Sequence, residues 1–267
     1  EAILTYSDSG LGRLSRNFHQ AIKYHLGHTK IRNKPRPIVI NNWEATYFQF
    51  NEKKLLELIE SCRGMGIDTF MNFTEEKILN IARTAADLGV ELMVLDDGWF
   101  GHRDDDTTSL GDWFVDKRKL PHGLTPIIEK CEELGMTFGL WFEPEMISED
   151  SDLYRAHPDW CIRQEGRPYC LGRKQLILDL SRQEVLDYLK ETVGGMLAAN
   201  RISYVKWDMN RHMTDAYSAA LPPERQPELF HRYILNLYAL LDYLTTTFPD
   251  VIFEGCSGGG GRFDAGM

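Results

Sequence analysis

The stretch ISYVKWDMNRHMT, residues 202–214, runs from apolar residues into Lys206, Asp208, Asn210 and Arg211, with Trp207 among them. If the extended geometry persists through Asn210, then Lys206, Asp208 and Asn210 project to one face, because strand side chains alternate with period 2. A cation beside a carboxylate keeps it ionised, which a nucleophile requires. The competing account is a strand running out into a solvated turn. A second group is Asp96 and Asp97, followed by Gly98 and Trp99. Two adjacent carboxylates suit bidentate hydrogen bonding to hydroxyls or a divalent metal, and equally suit helix capping. GLWFEPEM offers Glu143 and Glu145 as acids or as satisfied internal partners. In CSGGGGRFD, Cys256 opens a glycine run that permits close backbone approach to a ligand. No histidine is marked out as its partner for thiol chemistry. Trp43, Trp99, Trp113, Trp141 and Trp207 supply aromatic faces for a sugar ring or for the core.

Most of these residues follow short apolar runs. PIVINNW (37–43), ELMVLDDGW (91–99), TFGLWFEPE (137–145), SYVKWD (203–208) and VIFEGCSGG (251–259) have strand character. Between them, 75–89, 124–135, 182–199 and 228–248 carry apolar residues at helical spacing. The alternation predicts an α/β fold with a parallel sheet. Polar residues gather at the carboxyl ends of the runs, where a TIM-type (β/α)8 barrel builds its active site. QLILDLS (175–181) fits either a barrel strand or an extended approach to the next helix. GGGGR (258–262) follows the last run without room for the helix of a dinucleotide fingerprint.

One feature interrupts the pattern. FNEKKLLELIESCRGMGIDTFM (50–71) and FTEEKILNIARTAADLGVELMV (73–94) match at an offset of 23 residues. A barrel closes with a fixed strand number and shear, so an added unit must be extruded, replace its twin or disturb closure.

With 40 acidic against 30 basic side chains, the net charge of −10 gives no basic field for nucleic acid or an anionic membrane. No apolar run approaches membrane-spanning length. The five cysteines, Cys62, Cys131, Cys161, Cys170 and Cys256, form no C-x-x-C pair, which argues against a disulfide framework or structural zinc. His102, His122 and His157 stand singly, so no metal and no cofactor is expected. Together with the absence of a signal-peptide layout, this leads to a cytoplasmic expectation.

Taken together, NNWEATYF, LDDGWFGHRDDD, GDWFVDKRKLPHGL, GLWFEPEMIS, CLGRKQLILDLS, YVKWDMNR and CSGGGGRFDAGM resemble the catalytic barrel of the α-galactosidases of glycoside hydrolase family 36, from Pro37 to Met267. Residues 1–36 resemble the tail of that family's amino-terminal β-sandwich domain and its linker. The resemblance implies a retaining hydrolase that releases terminal α-linked galactose from saccharides such as raffinose and melibiose. It makes Asp208 the nucleophile, and Asp96 and Asp97 the pair that holds galactose hydroxyls. Trp43, Trp141, Arg173, Lys206, Asn210, Cys256 and Gly259 match further substrate contacts. Retaining chemistry needs a second carboxyl group. The resemblance puts that acid/base after the next strand, past Met267, so an incomplete barrel and an inactive fragment of a tetrameric enzyme are expected. Alternatives are a galactoside-binding barrel without catalysis and a metal-dependent hydrolase using Asp96 and Asp97.

Overall fold

The computed structural model describes residues 5–26, 74–87 and 89–257. The expected strand at 37–43, the first copy of the repeat and the glycine run after Ser257 lie outside them.

An amphipathic helix, α1 (Leu11–Ala21), passes into a wider π turn at Ile22–Leu26, with none of the α1 residues buried. The second copy of the repeat forms α2 (Glu75–Asp87), which buries Ile78, Ile81, Ala82 and Ala85, and β1 (Leu92–Leu95). A long connection then leads to α3 (Thr125–Glu133), which starts with Pro126 in its first turn, where a missing N–H costs nothing. Next come β2 (Thr137–Phe142), β3 (Met146–Ile147), α4 (Asp152–Ala156) and β4 (Leu176–Ile177). The chain continues through α5 (Gln183–Ala199), β5 (Tyr204–Trp207), α6 (Leu229–Thr247) and β6 (Ile252–Gly255).

The four strands β1-β2-β5-β6 form one parallel sheet in that order. Each of the four helical stretches expected from apolar spacing is present. QLILDLS differs from a barrel strand: Leu176 and Ile177 pair antiparallel with Ile147 and Met146, outside the parallel sheet. The short β3-β4 ribbon lies between the end of β2 and α5 in sequence, so it shapes the rim rather than the sheet.

The pleat sorts the strand residues by chemistry. Met93, Leu95, Phe138, Leu140, Val205 and Trp207 belong to the large core cluster with the helices. On the alternate positions Leu92, Val94 and Tyr204 form a separate small cluster with Ile252 against them. The register levels Val94 with Gly139, Gly139 with Tyr204, and Tyr204 with Ile252. Gly139 fills this level because a Cβ there would lie 3.0 Å from Val94 Cγ2 and 3.0 Å from Tyr204 Cβ. Two residues on, the same face carries Trp141, level with Lys206, which is level with Glu254. The ladder runs one residue past the strands, since Asp208 N–H donates to Phe142 O (2.7 Å) and Cys256 N–H to Trp207 O (2.8 Å). It therefore brings Glu143, Asp208 and Cys256 to a third level. Along this face the sheet changes from apolar to charged in two steps.

Candidate active site

Asp208 stands at the carboxyl end of β5, 6% exposed. Its Oδ1 accepts from the backbone N–H groups of Met209 (2.9 Å) and Ser257 (2.9 Å). Its Oδ2 accepts from Asn210 Nδ2 (2.6 Å) and the indole N–H of Trp141 (3.3 Å). Donors aimed at both oxygens stabilise negative charge and fix the carboxylate plane. The pleat accounts for two of these partners. Trp141 is one residue ahead of Phe142 on the neighbouring strand, and Asn210 shares the face of Asp208 two residues on. Ser257 arrives because β6 runs parallel to β5, and its left-handed backbone (φ 66) turns the N–H inward.

A second cluster closes the end of β1. Lys206 Nζ pairs with Asp96 Oδ2, both nearly buried, and Asp96 Oδ1 accepts the N–H of Asp97 (2.8 Å). Arg103 grips Asp97 in a two-pronged contact, Nε to Oδ1 at 2.8 Å and Nη2 to Oδ2 at 2.7 Å. Its Nη1 donates to Thr108 O (2.6 Å), and its guanidinium lies 5.7 Å from the Phe100 ring centroid. Burial pushes the Asp97 carboxyl above its ordinary range, and Arg103 opposes that rise. Each carboxylate of the pair is thus matched by a side-chain cation. Among the described residues no group of three or more His, Cys, Asp or Glu could hold a metal ion.

Arg173 lies at the edge of this cluster. It occupies a tight turn closed by Gln175 N–H donating to Gly172 O (3.0 Å), in which both Arg173 (φ 52) and Lys174 (φ 56) are left-handed. Non-glycine residues adopt that conformation at a cost of roughly 1–3 kcal/mol each, a strain found at ligand clamps and switches. Arg173 Nη2 contacts Asp106 Oδ2 at 3.1 Å, and its charge also acts on Asp97. Gly172 gives Arg211 room, since a Cβ there would meet Arg211 Cγ at 2.8 Å.

The two glutamates of GLWFEPEM part company. Glu145 is a structural tie: its Oε1 accepts from the Trp207 indole (2.9 Å) and its Oε2 from the Tyr233 hydroxyl (2.7 Å), joining β2, β5 and α6. Glu143, fully buried, accepts the backbone N–H of Asn210 (2.5 Å) and lies beside Asp208. Burial first, and then the Asp208 charge, push its carboxyl up to about 8. Trp99, Trp113, Trp141 and Trp207 are all buried in the core, and of these Trp141, packed with Phe100 and Trp113, turns its N–H to Asp208.

The fold therefore brings together Asp96, Asp97, Trp141, Lys206, Asp208 and Asn210, with Arg173 at their margin and the Cys256 backbone on the third level. Trp43 and Gly259 lie outside the described residues. Arg103 and Ser257 were not anticipated from sequence. Arg103 stands within LDDGWFGHRDDD with nothing in its spacing to tie it to Asp97, and a backbone donor such as Ser257 N–H leaves no residue-type signal.

The structure is an α/β protein with a parallel sheet whose strand ends carry buried carboxylates beside matched ion pairs, and comparison with known proteins gives its family. The melibiase family model matches residues 1–72 and 69–267, and the chain belongs to that family. The two matched segments overlap at 69–72, within the repeated stretch. Over all 267 residues the chain is 54% identical to alpha-galactosidase AgaA of Geobacillus stearothermophilus, covering 34% of that protein. The crystal structure of GH36 alpha-galactosidase AgaB from the same organism aligns over 98% of this chain and 33% of its own, with TM-score 0.85 and 54% identity. An AgaA variant solved in complex with stachyose aligns equally well, with TM-score 0.85 over 98% of this chain and 33% of that one. The chain thus spans about a third of the length of the curated relatives it matches.

Proposed function

We propose that this chain carries the nucleophile and the galactose-binding rim of a retaining α-galactosidase, built on a (β/α)8-type barrel of which β1, β2, β5 and β6 form a contiguous part. The observation that supports it most is the setting of Asp208: a carboxylate at a strand end, held by four N–H donors and flanked by the ion pairs of Asp96 and Asp97. In the proposed reaction an Asp208 oxygen attacks the anomeric carbon of galactose as the bond to the leaving oxygen breaks, giving a covalent galactosyl–enzyme and retained configuration after hydrolysis. Asp96 and Asp97, neutralised by Lys206 and Arg103, keep lone pairs for sugar hydroxyls. Trp141, Arg173, Asn210 and Cys256, with Trp43 and Gly259, complete the contacts to galactose.

The leaving oxygen needs a proton from a second carboxyl group. We assign that role to a segment other than the described residues, so turnover belongs to the full-length protein. Raffinose- and stachyose-type galactosides are the proposed substrates, consistent with the ligands of the related crystal structures. Residues 1–36 are proposed as the tail and linker of a preceding β-sandwich domain, and the full-length protein as a cytoplasmic homo-oligomer. No helix among the described residues is long and apolar enough to cross a membrane.

Hydrolysis of p-nitrophenyl α-galactoside by the full-length protein tests the reading. Asp208→Asn should lower kcat by roughly 10⁴-fold or more, as loss of a nucleophile does elsewhere. Galactose binding, followed by calorimetry, should survive in that variant. Undiminished turnover would remove Asp208 from the chemistry, and binding without turnover in the wild type would favour a non-catalytic galactoside-binding barrel.

A further inference from the structure

Glu143 and Asp208 are two carboxyl groups on adjacent strands at the same level of the sheet, both shielded from water. They are served unequally. Asp208 receives donors on both oxygens from Met209, Ser257, Asn210 and Trp141. Glu143 receives the Asn210 backbone N–H on Oε1, and its Oε2 lies 3.4 Å from the Gln175 amide. The other end of that amide, Gln175 Oε1, is buried with no hydrogen-bond partner among the described residues. An amide can be turned end for end, whereupon its oxygen would face Glu143 and accept a proton from it. Asn210 links the two acids, because its side-chain amide also bears on Glu143 while its Nδ2 donates to Asp208.

We propose that Glu143 is a positioning residue for Asp208: it holds the Asn210 backbone and, through it, the side-chain amide that donates to Asp208. This rests on the reading of Asp208 as nucleophile. The charged groups that act on Glu143 are Asp208 from the end of β5, Asp97 after β1, and Arg103 from the connection that follows. Asp97 is paired with Arg103, and after burial it is the Asp208 charge that acts most to raise the Glu143 carboxyl. Two buried anions so close would repel, and one proton shared out to Glu143 removes the conflict. Such an acid also has the features of a proton donor to the leaving oxygen. Its complete burial and its engagement by Asn210 and Gln175 assign it to support instead.

The sign of the linkage follows from a carboxyl held up to about 8 against a model value of 4.5. Between those values the folded chain keeps a proton that the unfolded chain has lost, so this group's contribution to stability falls as pH rises through the window. Urea denaturation of the full-length protein and of its Glu143→Gln variant, at pH values spanning about 5 to 9, reads this directly. The wild-type midpoint should fall relative to the variant as pH rises, whereas a pH-independent offset would overturn the inference. In the full-length protein Glu143→Gln, which still accepts from Asn210, should keep turnover within about threefold at neutral pH. Glu143→Met, uncharged but unable to accept strongly, should lose at least about tenfold in kcat with KM little changed. A Gln variant as inactive as one lacking its general acid would overturn the positioning role. If the wild type neither binds nor cleaves galactosides while the pH-dependent difference persists, the functional reading fails and the carboxyl pair stands.

Discussion

Arg103 shows how much of the proposed galactose-binding site is decided by a residue that need never touch the sugar. Its guanidinium fork satisfies both oxygens of Asp97 in a setting with almost no water, and breaking such a buried pair leaves a charge without compensation. Arg103→Ala should therefore cost roughly 3–5 kcal/mol of stability, measured as a lower urea midpoint. Arg103→Lys keeps the charge but gives up the planar fork, so it should recover part of the stability while galactose binding stays weaker than in the wild type. Equal galactose affinity in the Lys variant and the wild type would show that Asp97 orientation does not matter. That Lys206 and Asp208 share a face was legible from period-2 spacing, and that Asp96 and Asp97 end a strand from the apolar run before them, whereas the roles proposed for them came from the family resemblance. Arg103 was not, because the partner of a buried acid six residues away is chosen by how the intervening loop folds. Glu143 and Glu145 were seen as a pair but not told apart, for their roles depend on whether Tyr233 and Trp207 or Asn210 comes within reach.

At the scale of elements, the sheet's functional face depends on its lower level being thin. Gly139 lets β1 and β5 close over β2, with Val94 and Tyr204 touching where a side chain would stand. Tyr204 then donates its hydroxyl to Glu254 (2.6 Å) on the next strand and level. Gly139→Val should push these strands apart, costing about 1–3 kcal/mol as overpacking does and displacing Lys206 and Asp208 above it. Reduced galactose binding together with a lowered melting temperature is the expected result; a variant as stable as the wild type would mean the level has slack. The four strands and four helices of the parallel sheet were legible because buried parallel strands are continuous apolar runs and surface helices carry an apolar stripe. The antiparallel β3-β4 ribbon was not, since Leu176 and Ile177 have the same apolar character as a barrel strand and only pairing direction distinguishes them. Of the repeated stretch, the second copy supplies α2 and β1.

At the scale of the whole molecule, charge and apolar surface are separated along one axis of the sheet. The helix-facing side is a single core of aliphatic and aromatic residues, and the opposite side climbs from Leu92 and Val94 to Asp96, Lys206 and Asp208. Such a gradient is what a parallel barrel uses to place a polar site on an apolar base. Membership of the melibiase family and a fold shared with GH36 α-galactosidase structures give that gradient its chemical meaning. Everything proposed about catalysis converges on one bond, between an oxygen of Asp208 and the anomeric carbon of galactose. A mechanism-based fluorinated galactoside, incubated with the full-length protein and followed by peptide mass spectrometry, tests it most directly. The label should be found on Asp208 and be lost in Asp208→Asn; a label on Glu143, Asp96, Asp97 or any other carboxylate would contradict the account.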